Sequence, residues 1–117
     1  MNKNNDVEKL AAIEKGKINL ETAKISWKDL ERFFAAGSVI NVEPKLALID
    51  VAYALSQDNT QQFKTWMEEG LVDHVSDQQA IKWHENGAIV WSVVVKPWIL
   101  VQNIDSQSEP SNSFNAH

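Results

Sequence analysis

The sequence predicts an α+β domain in which a small antiparallel sheet of about three strands packs in two layers with three to four helices. Three observations carry that prediction. Helical apolar spacing with polar starts and glycine stops recurs between residues 27 and 87. From residue 88 the texture turns to β-branched residues and tryptophan, and an isolated β-branched run, Val39–Val42, stands just before Pro44. The whole chain has 117 residues, which suits one domain.

The elements follow in order. Val7, Leu10, Ala11 and Glu14 fall at helical offsets, then Gly16 intervenes before Leu20 and Ala23, so residues 1–17 read as a flexible or partly helical segment. Ser26 with Asp29 three residues on has the form of a helix start. Trp27, Leu30 and Phe34 then share a face and Gly37 supplies a stop, which predicts a helix over 27–36. Val39–Val42 is a strand. Leu48, Val51, Ala52 and Leu55 lie at i, i+3, i+4, i+7, the stripe of a well-buried helix. Asp58 with Gln61 opens the next helix, lined by Phe63, Trp66 and Met67 and closed at Gly70. Ser76 with Gln79 opens another, which runs to Gly87. Asn86-Gly87 is also a hairpin signal, so residues 77–86 have a rival reading as one arm of a hairpin. Pro97 divides the last apolar run into strands at about 88–95 and 98–104, joined antiparallel by a tight type I turn at Lys96-Pro97. The globular domain therefore covers 18–104. Residues 105–117, rich in Ser and Asn, read as a disordered tail.

Composition excludes several function classes. Apolar residues make up 44% and charged residues 23%, ordinary for a globular domain. Cysteine is absent, which removes disulfides, thiolate metal sites and cysteine nucleophiles and suits a reducing cytoplasm. The net charge is −5, and residues 38–117 hold four basic against ten acidic groups. With Arg32 the single arginine and no basic stripe, nucleic acid is not an expected partner. No apolar run approaches the roughly 20 residues that span a bilayer, and the amino terminus has no apolar leader, so neither a membrane nor a secretory route is expected.

Two stretches carry a resemblance. Leu20-Glu21-Thr22-Ala23-Lys24-Ile25 with Trp27, Leu30, Phe33-Phe34-Ala35 and Gly37 forms the first. The second and more specific is Val93-Val94-Val95-Lys96-Pro97-Trp98-Ile99-Leu100-Val101-Gln102. Together they resemble the small bacterial proteins grouped as domain of unknown function 2288, over roughly residues 18–104. The resemblance implies a short, stand-alone cytoplasmic bacterial protein and brings no activity, cofactor or catalytic residue with it.

Residue chemistry narrows the field without filling it. His74 and His84 with Asp73, Asp77 and Glu85 are the residues from which a metal site would be drawn, since imidazole and carboxylate are the ligands left without thiolate. Their spacing matches neither a zincin nor a calcium loop, and a capping Asp77 with solvated histidines is the simpler reading. Glu68-Glu69 and Asp50 sit on polar helix surfaces, no Gly-x-Ser-x-Gly elbow frames any serine, and four isolated glycines cannot build a phosphate loop. No catalytic residue and no cofactor is predicted. Five tryptophans remain the anomaly. Ile89, Trp91, Val93 and Val95 alternate with Ala88, Val90, Ser92 and Val94, so both faces of this strand are apolar and both must be covered, by the chain or by a second subunit. The preferred expectation is a non-enzymatic interaction module or homodimer with Trp91, Trp98, Val93 and Val95 at its interface. The alternative is a small-molecule or metal-binding protein using His74, His84 and nearby acids.

Overall fold

The structure, a computed structural model, describes residues 3–104; the expected tail at 105–117, with His117, lies outside the described residues. Helix α1 runs unbroken from Lys3 to Glu21. Gly16 sits inside it rather than ending it, although glycine costs a helix about 1 kcal/mol relative to alanine. The helix passes through the boundary drawn at 17/18 because Ile18, on its inner face, belongs to the hydrophobic core. Thr22 closes it by donating its hydroxyl to the Ile18 carbonyl, 2.7 Å.

Strand β1 (Ala23–Ser26) follows, then a 3-10 turn over Trp27–Leu30 that continues as helix α2 (Glu31–Ala35). The expected helix at 27–36 is present, but the Ser26 hydroxyl makes no capping bond to it. Strand β2 spans Val39–Val42 as expected, and helix α3 spans Leu48–Ser56. Helix α4 (Thr60–Glu68) is capped by Asn59, whose side-chain oxygen accepts from the Gln62 amide. Asp58, expected in that role, instead takes the turn before it at φ 56°. After the short strand β3 (Val72–His74), helix α5 occupies Asp77–Asn86 and removes the hairpin alternative. Its two ends match the sequence signals: Ser76 accepts from the Gln79 amide at 3.1 Å, and Gly87 takes the left-handed conformation at φ 59°.

Strands β4 (Ile89–Val95) and β5 (Trp98–Asn103) form the predicted antiparallel pair. The turn between them differs from expectation: Pro97 stands third in the four-residue turn Val95–Trp98 and its peptide bond is cis, the arrangement of a type VI turn, whereas type I would favour proline one position earlier. The sheet has five strands in the order β1-β4-β5-β2-β3, and it is mixed. β2 runs parallel to β5, pairing Ile40 with Leu100, and every other contact is antiparallel. The expected three-stranded antiparallel sheet is thus corrected to five strands with one parallel pair, and the expected three to four helices to five plus the 3-10 turn.

The two-layer expectation is corrected as well. One face of the sheet, carrying Ile40, Val42, Val72, Val93 and Leu100, lies under α1, α3 and α4. The other, carrying Val39, Val90, Ile99 and Val101, lies under Trp27 and Leu30 of the 3-10 turn, α2 and α5. All four residues of β2 are buried, as a strand covered on both sides requires. The chain itself covers the middle of the apolar run, Val90, Ser92 and Val93, from both sides, while Ile89 and Val94 towards its ends remain exposed.

Two side chains lock the loop that follows β2. Gln102 on β5 is buried and donates from Nε2 to the carbonyls of Glu43, 3.1 Å, and Leu46, 2.7 Å. Asn41 donates from Nδ2 to Glu43 Oε2 at 3.0 Å. Burying these amides is tolerable because each finds an acceptor.

Candidate functional site

Trp91, Val93, Val95 and Trp98 share the sheet face beneath α1, α3 and α4. Val93 is 2% exposed and belongs to the core, and the other three are half-buried against it. Lys24 Nζ lies 5.2 Å from the Trp91 ring centre, a cation–π contact between neighbouring strands. Trp98 meets the His74 ring edge-on at 5.9 Å. These four residues are therefore engaged within the chain, largely or wholly.

The residues gathered on paper as a metal site do not converge. His74 and Asp73 stand on edge strand β3, where Asp73 Oδ1 accepts from the His74 amide at 2.7 Å. His74 projects to the α1/α3 side with Trp98, whereas His84 lies in the last turn of α5, on the opposite side of the sheet. There its Nδ1 donates to Glu31 Oε2 of α2 at 2.7 Å. Asp77 is in the first turn of α5, and Ser76 is the residue that caps it. Among the described residues, no group of three or more His, Asp or Glu side chains is close enough to hold a metal ion. His74 and His84 with their neighbouring acids are thus not brought into one set, as the ligands of one ion would have to be.

Two surface features went unread in the sequence. The first is on α1. Its inner side docks on α3 through Ile18 and Lys15, with Lys15 Nζ 3.2 Å from Asp50 Oδ1 and 5.3 Å from the Tyr53 ring centre. A second row, Leu10, Ile13 and Leu20, faces away and is 67%, 56% and 86% exposed. With Lys17 the row follows i, i+3, i+7, i+10, the spacing of a coiled-coil seam. The signal was available: apolar residues on two sides of one helix cannot all face one core. The second feature is a groove between α2 and α5, floored by Trp27, Phe34 and Ala80, where the Glu31–His84 contact joins its banks.

Fold and surface together define a small α+β protein whose five-stranded mixed sheet is sheathed by helices on both sides. The chain belongs to the family described as "Protein of unknown function (DUF2288)", which matches residues 14–103. It is similar to PA1075 from Pseudomonas aeruginosa, known from an NMR solution structure, at 37% identity over 74% of this chain and 81% of that one, with a TM-score of 0.68. No curated protein matches it. The family seen in residues 20–37 and 93–102 thus holds over nearly all of the described body. No helix among the described residues is long and apolar enough to cross a membrane.

Proposed function

We propose that the protein is a non-enzymatic, cytoplasmic interaction module that self-associates through α1. The observation that carries this reading is the outward row Leu10, Ile13 and Leu20, three large apolar side chains in register on a helix whose other side is already docked. A second copy is the occupant that the flanking charges favour. With Leu10 and Lys17 at a, and Ile13 and Leu20 at d, Lys9 falls at g and Glu14 at e. In a parallel pair each Lys9 faces the partner's Glu14, and the single Lys17 within the seam favours one register over slipped alternatives. This reading takes α1 rather than Trp91 and Trp98 as the surface, since those two are partly packed against the chain's own core. The absence of cysteine suits a reducing compartment.

Magnitude sets the strength. A seam of about three helical turns buries somewhat less than the roughly 1,200 Å² of a standard interface, so the dimer is expected in the micromolar range. Sedimentation equilibrium from about 1 to about 300 µM should show a monomer–dimer transition. Leu10→Asp with Ile13→Glu, both at exposed positions, should abolish it without altering the far-UV spectrum. A wild-type chain that stays monomeric throughout, or a double variant that still dimerises, refutes the proposal.

A further inference from the structure

The geometry points to the groove between α2 and α5 as a docking site for a basic amphipathic peptide segment of a partner protein, independent of the α1 seam. Its volume is about 460 Å³. Trp27 and Phe34 form an aromatic floor with ring centres 5.7 Å apart, Ala80 completes it, and Ile81 forms a wall that is 56% exposed. Around the rim stand Glu31, Asp77 and Glu85 together with His84, and no lysine or arginine lines the groove. Carboxylates beside the apolar surface of Phe34 and Ile81 suit an ammonium or guanidinium carried on an aliphatic stem, the stem resting on the apolar side chains and the charge on the rim. Among the described residues, the one buried side-chain polar atom without a hydrogen-bond partner is the indole nitrogen of Trp27, a residue of this floor. That atom is itself buried, so the floor offers shape and apolar surface rather than a hydrogen bond to an occupant.

Charge and shape select the occupant. The chain's own residues 105–117 carry Asp105 and Glu109 and no lysine or arginine, so this rim repels them. A second copy, with its net charge of −5, is a poor match for three carboxylates. Small ligands are held in sites that enclose most of their surface. Here Ile81, His84 and Glu85 are exposed, leaving an open trough of the kind that receives one apolar side of a helix. Aliphatic side chains of that helix would rest on Phe34 and Ile81, and its lysines or arginines would reach Glu31, Asp77 and Glu85.

The test is a ¹H–¹⁵N titration of the full chain with a capped helical peptide of lysine and leucine, patterned so that its leucines share one side. A glutamate–leucine peptide of the same pattern and tetramethylammonium serve as the other probes. Saturable shifts at the Trp27 indole and the Ile81 and His84 amides are expected with the lysine peptide alone, weakening as salt rises. Glu85→Lys combined with Ile81→Ser, both exposed, should weaken binding by about tenfold or more while leaving the rest of the spectrum in place. Leu10→Asp, which addresses the α1 seam, should leave these shifts unchanged. No saturable shift at these signals, an equal response to the glutamate peptide, saturation by tetramethylammonium, or undiminished binding by the double variant overturns the inference.

Discussion

The two faces of the sheet are covered by different means. On one side the long α1 and the nine-residue α3 lay aliphatic side chains, Ile18, Leu48 and Val51, over Ile40, Val42, Val93 and Leu100. On the other the cover is a 3-10 turn of four residues, the five-residue α2 and the ten-residue α5. There the space is filled by indoles: Trp27 and Trp83 meet at 4.9 Å between ring centres, with Phe34 beside Trp27. The 3-10 turn and α2 present few side chains between them, so those that reach the sheet are large, and a tryptophan buries about 150–250 Å². On the first side the aromatics Tyr53, Phe63, Trp66, Trp91 and Trp98 are only partly buried around an aliphatic centre. On the second, Trp27 and Trp83 are themselves part of the buried centre.

Truncation should expose that difference. Trp27→Ala on the short-helix side is expected to cost about 3–5 kcal/mol by chemical denaturation, at the upper end for this chain, because α2 has few other contacts to hold it down. Leu100→Ala, fully buried on the long-helix side, should cost about 2–5 kcal/mol and fall below the tryptophan variant, since α1, α3 and α4 share the load there. The reverse order would mean that α2 is not held chiefly by its aromatic anchor. The smallest effects concern two serines. Ser76→Ala removes the bond to the Gln79 amide and should cost about 1 kcal/mol, whereas Ser26→Ala, whose hydroxyl makes no capping bond, should leave the denaturation midpoint nearly unchanged.

Those serines also show what the sequence made legible. Both carried the same helix-start signature, yet only Ser76 fulfils it. At Ser26 the chain leaves β1, and the Trp27 amide is tied to the Ala88 carbonyl at 2.9 Å, so the turn is set by the sheet rather than by a cap. Elements with several periods of pattern were readable: the buried stripe of α3, the Ser76–Gly87 punctuation of α5, and the strand pair about Pro97. The edge strands were not. β1 has four residues and β3 three, too few to show alternation, and both exist because a neighbouring strand offers a ladder. The parallel pairing of β2 with β5 was equally hidden, being a contact between segments some sixty residues apart. Of the candidate sites, His84 and Trp27 were noticed singly, but nothing local shows that α2 and α5 stand side by side.

The place of β5 has a consequence for how the chain acquires its form during synthesis. It is the last of the five strands in chain order and the middle one in space, with β4 and β1 to one side and β2 and β3 to the other. Without residues 98–103 the pair β1–β4 and the pair β2–β3 share no edge. Gln102, which fastens the Glu43–Leu46 loop, arrives among the final residues of that strand. Assembly of the complete sheet therefore waits for its closing segment, and a chain cut short at Pro97 would leave the facing edges of β4 and β2 unpaired.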